Sequence, residues 1–300
     1  MNKIIVIGSA NTDMVVRTDN LPLPGETKLG GTFFMNPGGK GANQAVAAAR
    51  LGGMVTFVGK IGDDIFGKEA IQQLKNEGIN VDYVAVDREN PSGIALITVN
   101  ERGENSIVVA PGSNGTLSLE DINKAMSELD ESEFVLIQLE IPIPTVEYIV
   151  RMAAQKQKKV ILNPAPATKL SDELLKYLYL ITPNETEAEL LTGIKITDEK
   201  SALKAAVDLH LKGVEIVIIT MGAAGAFLLV NGRWEVIKAP KVEAVDTTAA
   251  GDTFNGALAV ALSEGKTIQE SICFANKAAS ISVTRNGAQS SVPFRKELMN

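Results

Sequence analysis

The chain has 300 residues, of which 45% are hydrophobic and 22% charged; this is typical of a folded globular protein and excludes a disordered, collagen-like or coiled-coil chain. Its formal net charge of −7 argues against a nucleic acid or an anionic membrane as partner. The single cysteine cannot form an internal disulfide, and with a single histidine we expect no histidine-based zinc site.

From the N-terminus onward, short apolar runs alternate with helical patterns. The first run, Ile4–Ile7, is too short for a signal peptide, so we expect a cytoplasmic protein. The alternation predicts βαβ units and a mostly parallel sheet with helices on both faces. Buried strands are predicted at Lys3–Ile7, Val55–Lys60, Val81–Val86, Phe134–Gln138, Val160–Asn163, Leu180–Thr182 and Glu215–Thr220. The uncharged run Ile216–Val230 predicts a strand, a glycine turn and a second strand. Helices are predicted at Ala42–Leu51, Phe66–Asn76, Ser118–Leu129, Pro144–Gln155, Glu185–Leu191, Ser201–Leu211, Asp252–Ser263 and Ile268–Thr284.

Residues 12–36 and 92–110 break this alternation, because they carry strand patterns with no helix between them. Four short strands there could pair into a small antiparallel sheet that stands apart as a lid, or form two hairpins at the edge of the main sheet. They are expected at Met14–Arg17, Thr27–Phe34, Ile94–Val99 and Ser106–Val109. No repeat or linker interrupts the chain, so we expect one domain over residues 1–300, with these segments as an excursion from it.

The first glycine-rich segment, Pro37–Gln44, has the sequence Pro-Gly-Gly-Lys-Gly-Ala-Asn-Gln. It is not a Walker A loop, because glycine follows the Gly-Lys pair where serine or threonine is required. It is not a Rossmann fingerprint, because Gln44 occupies the position of the third glycine. What remains is a bare turn before a helix. Such a turn suits close approach of a hydroxylated or anionic ligand, although a turn that only joins a strand to a helix has the same pattern.

The second glycine-containing segment, Val245–Gly256, places small residues just before a predicted helix. The N–H groups of Ala250, Gly251 and Asp252 would be unobstructed there, forming an anion hole at the positive end of the helix dipole. Asp252 adds a proton acceptor that the dipole keeps ionised, although aspartate in a first helical turn also has an ordinary stabilising role. An acceptor beside an anion hole favours phosphoryl transfer to a hydroxyl group.

Together with other segments in the same order, these motifs resemble the ribokinase-like (PfkB-type) carbohydrate kinase family. The resemblance covers nearly the whole chain and rests on Gly8–Asp13, Gly38–Asn43, Gln138–Glu140, Asn184–Glu187, Thr220–Gly222, Asp246–Asp252, Asn276 and Arg285–Ser291. It implies a three-layer α/β fold with a small β-sheet lid. It also implies ATP-dependent phosphorylation of D-ribose at the 5-hydroxyl, giving D-ribose 5-phosphate and ADP.

The family's site residues are carried over onto the matching positions of this sequence. Asp252 would be the catalytic base, and the amides of Ala249, Ala250 and Gly251 would form the anion hole. The sugar would be bound by Asn11, Asp13, Gly39, Lys40, Asn43 and Glu140. ATP would be bound by Asn184, Glu187, Thr220, Gly222, Gly225, Gly251 and Asn276.

The resemblance also implies two cations. Magnesium would be held mainly through ATP, with Glu187 as a candidate protein ligand. Potassium would be bound by oxygens of Asp246, Thr248, Ser282, Arg285, Gly287 and Ser291. For Arg285 and Gly287 only the backbone carbonyl can serve, and an oxygen-only set suits a hard cation.

The lid is expected to make this protein a homodimer. Short strand pairs need something to pack on, so we expect the lid strands to pack against those of a second copy.

Three other functions stay open on the residues alone. Another sugar or nucleoside kinase, acting on deoxyribose, fructose or adenosine, would share the phosphoryl-transfer residues. A non-catalytic sugar- or nucleotide-binding protein could use the same fold, although the Gly251–Asp252 pair argues against it. A dinucleotide-dependent oxidoreductase fits the βαβ pattern, although the missing fingerprint argues against it.

Overall fold

The computed structural model describes residues 3–299, in which strands and helices alternate through most of the chain. The strands are β1 (Lys3–Ile7), β2 (Asn11–Thr18), β3 (Thr32–Gly38), β4 (Met54–Gly62), β5 (Asn80–Asp87), β6 (Gly93–Asn100), β7 (Asn105–Ala110), β8 (Ser132–Ile137), β9 (Lys159–Leu162), β10 (Leu180–Ile181), β11 (Ile216–Thr220), β12 (Ala226–Val230) and β13 (Arg233–Ile237). The helices are α1 (Lys40–Arg50), α2 (Ile65–Asn76), α3 (Leu119–Lys124), α4 (Met126–Glu131), α5 (Ile143–Gln155), α6 (Asp172–Leu175), α7 (Glu185–Thr192), α8 (Glu199–Leu211), α9 (Ala250–Ser263) and α10 (Ile268–Ser282).

Within residues 3–299, nine strands form the main sheet, in the order β13-β12-β11-β10-β9-β8-β1-β4-β5. Neighbours pair in parallel from β11 to β5, whereas β12 and β13 extend one edge as antiparallel strands. Because side chains alternate between faces, Ile4 and Val6 of β1 join a core with α1, α2, α9 and α10. Ile5 and Ile7 join a second core with helices α3 to α8. The predicted three-layer fold with a mostly parallel sheet is confirmed.

The second sheet, which we call the lid, has four strands in the order β3-β2-β6-β7. It is built from the two segments that broke the sequence pattern. Its outer pairs are antiparallel, but the central pair of β2 and β6 is parallel, so the prediction of an antiparallel sheet is wrong there. The reason is that β2 follows β1 and β6 follows β5, and both parent strands run in the same direction toward one edge of the main sheet.

A few elements differ from the sequence prediction. The helix predicted over Ser118–Leu129 is two helices, because the Ala125 N–H donates to the carbonyl of Ile122 at 2.9 Å and tightens the turn between them. The strand predicted over Thr27–Phe34 begins only at Thr32. Strand β13 and the short α6 were not predicted; β13 lies at the sheet edge with exposed polar residues and lacks an apolar run.

Glycine permits unusually close packing between α1 and α9. A Cβ at Gly256 of α9 would lie 2.6 Å from the Cβ of Ala47 and 2.7 Å from the carbonyl oxygen of Gln44. The first turns of the two helices therefore come within side-chain reach of each other. No helix within residues 3–299 has the length and apolar character that crossing a bilayer requires.

Candidate active site

The strand order of the main sheet changes direction between β1 and β8, because β4 and β5 are added on one side of β1 and β8 to β11 on the other. At such a point the loops at the carboxyl edge diverge and leave a crevice in which ligands bind. Glu140 joins the segments around this crevice. Its Oε2 accepts the hydroxyl of Ser9 at 2.6 Å and the backbone N–H of Lys40 at 3.0 Å.

The bare turn before α1 packs directly on the chain between β1 and β2. Gly39 has a φ of 88°, and a Cβ there would lie 2.7 Å from the backbone nitrogen of Asn11. A Cβ at Gly41 would lie 2.6 Å from the backbone nitrogen of Ser9. The glycines therefore allow α1 to begin against the crevice, which brings Lys40 and the following turn to its edge.

Asp13 of β2 faces the crevice from the lid and borders a cleft of about 1030 Å³ beneath it. Burial is the main cause that raises the pKa of its carboxyl from 3.8 to about 6. The carboxylates of Glu140 and Asp252 raise this pKa further, and the Lys40 ammonium opposes them. Within residues 3–299 no group donates a hydrogen bond to the Asp13 carboxylate, so both of its oxygens are available to a ligand.

Lys40 lies among four carboxylates, those of Asp252, Glu140, Glu187 and Asp13. Burial by itself would lower the pKa of its ammonium, but the carboxylates outweigh burial and raise that pKa above 10.5. Lys40 is therefore charged at neutral pH. It is the cation that offsets the concentration of negative charge in the crevice.

Asp252, in the first turn of α9, is 5% exposed and accepts two hydrogen bonds from α1. Its Oδ2 accepts the side-chain amide of Asn43 at 3.0 Å, and its Oδ1 accepts that of Gln44 at 3.0 Å. Burial raises the pKa of this carboxyl, whereas Lys40 and the two amides lower it; the net direction is upward from 3.8. The helix dipole alone would act in the opposite direction, so burial is the dominant influence.

Free backbone amides lie at the N-terminus of α9, which begins at Ala250 rather than at Asp252. The Ala250 N–H donates to the carbonyl of Thr247 at 3.2 Å and closes a turn, in which Ala249 has a φ of 57°. In the described part of the chain, nothing accepts the N–H groups of Gly251 and Asp252. A Cβ at Gly251 would meet nothing within 4 Å. These two amides, and that of Ala249, which also has no acceptor within residues 3–299, are therefore available to an anion, while that of Ala250 belongs to the turn.

Asn184 and Glu187 cap the start of α7 reciprocally. The Glu187 N–H donates to Asn184 Oδ1 at 2.8 Å, and the Asn184 N–H donates to Glu187 Oε2 at 2.9 Å. Asn184 also forms a β-bridge with Thr220, which brings the ends of β10 and β11 together. Burial raises the pKa of Glu187, with Asp252 adding to the rise and the Asn184 N–H and Lys40 opposing it, so this carboxylate lies close enough to Lys40 and Asp252 to interact with both charges.

Gly222, Gly225 and Asn276 lie farther along this edge, around the end of β13. A Cβ at Gly225 would overlap the carbonyl of Ile237, to which the Asn276 amide donates at 3.0 Å. Any side chain at position 225 would therefore clash with the end of β13, which explains the glycine there without a nucleotide. Gly222 is exposed and has a φ of 52°.

Asp246 connects the turn before α9 to the loop after α10. Its Oδ1 accepts the N–H of Thr248 at 2.9 Å and its Oδ2 that of Gly287 at 2.8 Å. Burial would raise the pKa of this carboxyl, but these hydrogen bonds outweigh burial and lower it. Across residues 3–299, no group donates to the backbone carbonyls of Arg285 and Gly287.

Several buried polar side chains to which the sequence analysis gave no role hold the site together. Asn114 clamps the start of β2, because its Nδ2 donates to Asn11 Oδ1 at 2.7 Å and its Oδ1 accepts the Ala10 N–H at 3.0 Å. The others are Ser9, Gln44, Gln138, Asn163, Thr182 and Asn255. A sequence signal existed for three of them, since Gln138, Asn163 and Thr182 are each the polar last residue of a predicted buried strand; in the structure each directly follows its strand.

Comparison with known proteins identifies relatives over almost the whole chain. The model of the pfkB family carbohydrate kinases matches residues 1–295. The ribokinase of Haemophilus influenzae is 47% identical over 296 residues, which are 99% of this chain and 97% of that protein. The deoxyribokinase of Salmonella typhi is 39% identical over 293 residues, 97% of this chain and 95% of that protein. Among solved structures, the ribokinase of Arabidopsis thaliana complexed with ribose and ATP has a TM-score of 0.92 at 34% identity, covering 100% of this chain and 98% of that one.

Proposed function

The chain belongs to the pfkB family of carbohydrate kinases, and we propose that it transfers the γ-phosphoryl group of ATP to the 5-hydroxyl of D-ribose. The products are D-ribose 5-phosphate and ADP. The observation that carries this assignment is the pairing of a buried carboxylate, Asp252, with two free amides at the start of its own helix. A proton acceptor and an anion hole lie side by side, as phosphoryl transfer to a hydroxyl requires.

In the proposed mechanism the hydroxyl oxygen of the sugar attacks the γ-phosphorus while Asp252 accepts the hydroxyl proton. The bond from phosphorus to the bridging oxygen of ADP breaks, and ADP leaves with that oxygen. The N–H groups of Gly251 and Asp252 stabilise the charge on the phosphoryl oxygens. The Lys40 ammonium offsets the negative charge of the surrounding carboxylates, which would otherwise repel the anionic ATP.

The sugar would be held between the lid and α1. Within residues 3–299 both carboxylate oxygens of Asp13 lack a donor, and the Asn43 Oδ1 is a buried acceptor without a partner. Glu140 and the Gly39 turn would complete the pocket, with Asn11 held in position by Asn114. A set of buried acceptors demands a matching set of hydroxyls. The nucleotide would lie along Asn184, Thr220, Gly222, Gly225 and Asn276.

Magnesium would enter with ATP and stabilise the charge on its phosphates. The structure suits this role, because Glu187 lies near Lys40 and Asp252 and, within residues 3–299, only its Oε2 accepts a hydrogen bond, from the Asn184 N–H. An oxygen ligand next to the phosphates suits a hard divalent cation.

Potassium would be held by the Asp246 carboxylate together with oxygens of Thr248, Ser282, Arg285, Gly287 and Ser291. The donor set fits, because all these ligands are oxygens and the carbonyls of Arg285 and Gly287 have no protein donor within residues 3–299. The ion would fix the turn from Asp246 to Asp252. The free amides would then already point at the developing phosphoryl charge.

The lid would pair with a second copy of the chain. Met35, Met14, Leu96 and Val108 are successive cross-strand partners, so they form one apolar row across all four lid strands. Leu96 is 50% exposed and Val108 65% exposed. The opposite face carries Asp13 and borders the cleft, so a partner on the apolar row would leave the sugar site open. We also propose that the protein acts in the cytoplasm, where ATP is supplied.

The assignment is tested by measuring ADP release across pentoses, hexoses and nucleosides. We expect kcat/KM for D-ribose to exceed that for 2-deoxyribose by at least about tenfold, because a lost hydroxyl leaves buried acceptors unpaired. The similarity to a deoxyribokinase makes 2-deoxyribose the second candidate substrate. Equal or reversed preference would select that candidate, and no ADP release with any acceptor would overturn the kinase assignment.

A further inference from the structure

Gln44 lies in α1 behind Asp252, and its side chain is fully buried at 0% exposure. Three hydrogen bonds meet on its amide group. Nε2 donates to Asp252 Oδ1 at 3.0 Å and to Asn163 Oδ1 at 3.0 Å, and Oε1 accepts the amide of Gln138 at 2.6 Å. We propose that Gln44 is a positioning residue, held in place by the hydrogen bond from Gln138, that fixes the direction and the charge of the base Asp252.

The direction of these hydrogen bonds follows from the chemistry of Asp252. An ionised carboxylate only accepts hydrogen bonds, so Gln44 must turn its nitrogen toward Asp252 and its oxygen toward Gln138. Gln138 must then present its own nitrogen. Its Oε1 is left buried without a donor in the described chain, against Gly8, where any Cβ would overlap it.

That orphaned oxygen is the sign that Asp252 dictates the arrangement. Reversing both amides would place the Gln44 oxygen against the carboxylate, which repels it. A buried acceptor without a donor is unfavourable, and such a group persists only where the alternative is worse. The two glutamines are therefore held in one orientation by the charge of the base.

The second hydrogen of the Gln44 amide starts a chain of bonds that returns to the anion hole. Asn163 Nδ2 donates to the carbonyl of Thr182 at 3.2 Å, and the Thr182 hydroxyl donates to Asn255 Oδ1 at 2.6 Å. Asn255 Nδ2 then donates to the carbonyl of Gly251 at 2.8 Å. The side chain of the base and the backbone of the residue before it are thus tied to the ends of β8, β9 and β10. These three strands lie in the interior of the main sheet, so base and anion hole are held in one relative position.

The proposal predicts how loss of the Gln44 donor changes the enzyme. Burial raises the pKa of Asp252, and the bond from Gln44 is among the interactions that lower it. Without this bond the carboxylate would hold its proton to higher pH and would be free to rotate. Gln44 makes no contact with the crevice, so sugar binding should be nearly unaffected.

The test, which rests on the proposed kinase function, compares pH profiles of kcat/KM for the wild type, Gln44→Met and Gln138→Met. Methionine keeps the length of glutamine but donates no hydrogen bond. In Gln44→Met the acidic limb of the kcat/KM profile should shift to higher pH by about one to two units, while KM for ribose stays within about twofold of the wild-type value. Gln138→Met, which frees the Gln44 amide to turn, should move the limb in the same direction by a smaller amount.

The matched control is Thr56→Val, which removes a buried hydroxyl that donates to Glu128 Oε2 at 2.9 Å, near the amino end of β4 and thus away from the crevice. It should lower thermal stability and leave the pH profile unchanged. Acidic limbs that coincide with the wild type in both glutamine variants would overturn the proposal, as would a loss of kcat that is equal at every pH. If Gln44→Met does not fold, Gln138→Met decides by the same criterion. A wild type that releases no ADP would instead overturn the kinase function itself.

Discussion

Asn43 and Asp252 lie 209 positions apart in the chain, yet the side-chain amide of Asn43 donates to Oδ2 of Asp252 at 3.0 Å. The bond forms because Gly256 lets α1 and α9 approach closely. It links a residue of the sugar-side turn to the base, so placing the sugar and orienting the proton acceptor depend on the same helix contact.

Asp252→Asn should nearly abolish turnover while leaving ribose affinity much less changed. The amide keeps the shape of the side chain but cannot accept the hydroxyl proton. We expect kcat to fall by roughly 10²–10⁴-fold. Steady-state kinetics with ribose and ATP check this, with Asp130→Asn, an exposed carboxylate paired with Lys156, as the control for the same chemical change. Retention of more than about a third of wild-type turnover would make Asp252 a helix-capping residue only.

Asp13→Asn should stabilise the protein without ligand at neutral pH. Because folding raises the pKa of Asp13 to about 6 from 3.8, its contribution to stability is present below pH 3.8 and is lost as pH rises through 6. Asparagine does not titrate, so the Asp13→Asn variant does not lose this stability. Its free energy of unfolding, relative to that of the wild type, should therefore increase by about 2 kcal/mol between pH 4 and pH 8. Urea unfolding at both pH values measures it. If the variant is less stable than the wild type at pH 8, other interactions compensate for the cost of burying the Asp13 carboxylate, and the prediction is wrong.

Gly256→Ala should lower both stability and kcat. The added methyl group would overlap Ala47 and the backbone of Gln44, forcing α1 and α9 apart. Overpacking of this kind costs about 1–3 kcal/mol and would lengthen the bonds from Asn43 and Gln44 to the base. The control is Gly115→Ala, whose methyl group would meet only Pro111, at 3.6 Å. Equal unfolding curves for the two variants would contradict the close helix contact.

Turnover should depend on the monovalent cation. At saturating ribose and MgATP we expect potassium to give rates several-fold above those in sodium or tetramethylammonium at equal ionic strength, because the cation orders the turn before the anion hole. Asp246→Ala should remove the difference. Identical rates in the three salts would end the proposal of a potassium site.

Sedimentation at micromolar concentration should give a mass of roughly 64 kDa, twice the 31.9 kDa of one chain. Val108→Lys places a charge in the apolar row of the lid and should shift the protein toward the monomer. Leu211→Lys is the control, because Leu211 is 79% exposed on α8 outside the lid. A wild-type mass of one chain would contradict the dimer.

The sequence by itself determined the layered α/β architecture. Apolar strands that alternate with amphipathic helices have few other arrangements in which the strands and the apolar faces of the helices are all buried. It also located the two turns that matter, since glycines and small residues before a helix mark where a backbone must come close to something. The segments 12–36 and 92–110 were recognisable as an excursion. Their parallel central pairing was not, because it depends on where β1 and β5 end in the folded sheet.

Only the tertiary structure decided which polar groups surround the base. In the sequence, nothing distinguishes Gln44, Gln138 and Asn163 from other polar residues, and they are distant from one another. In the fold, neighbouring parallel strands end at the same edge of the sheet, so the polar residues near these ends form one hydrogen-bond network. Burial is likewise a property of the whole fold: it raises the pKa of Asp13 and outweighs the helix dipole at Asp252. Local pattern shows which side chains could accept a proton, and packing sets the free energy of doing so.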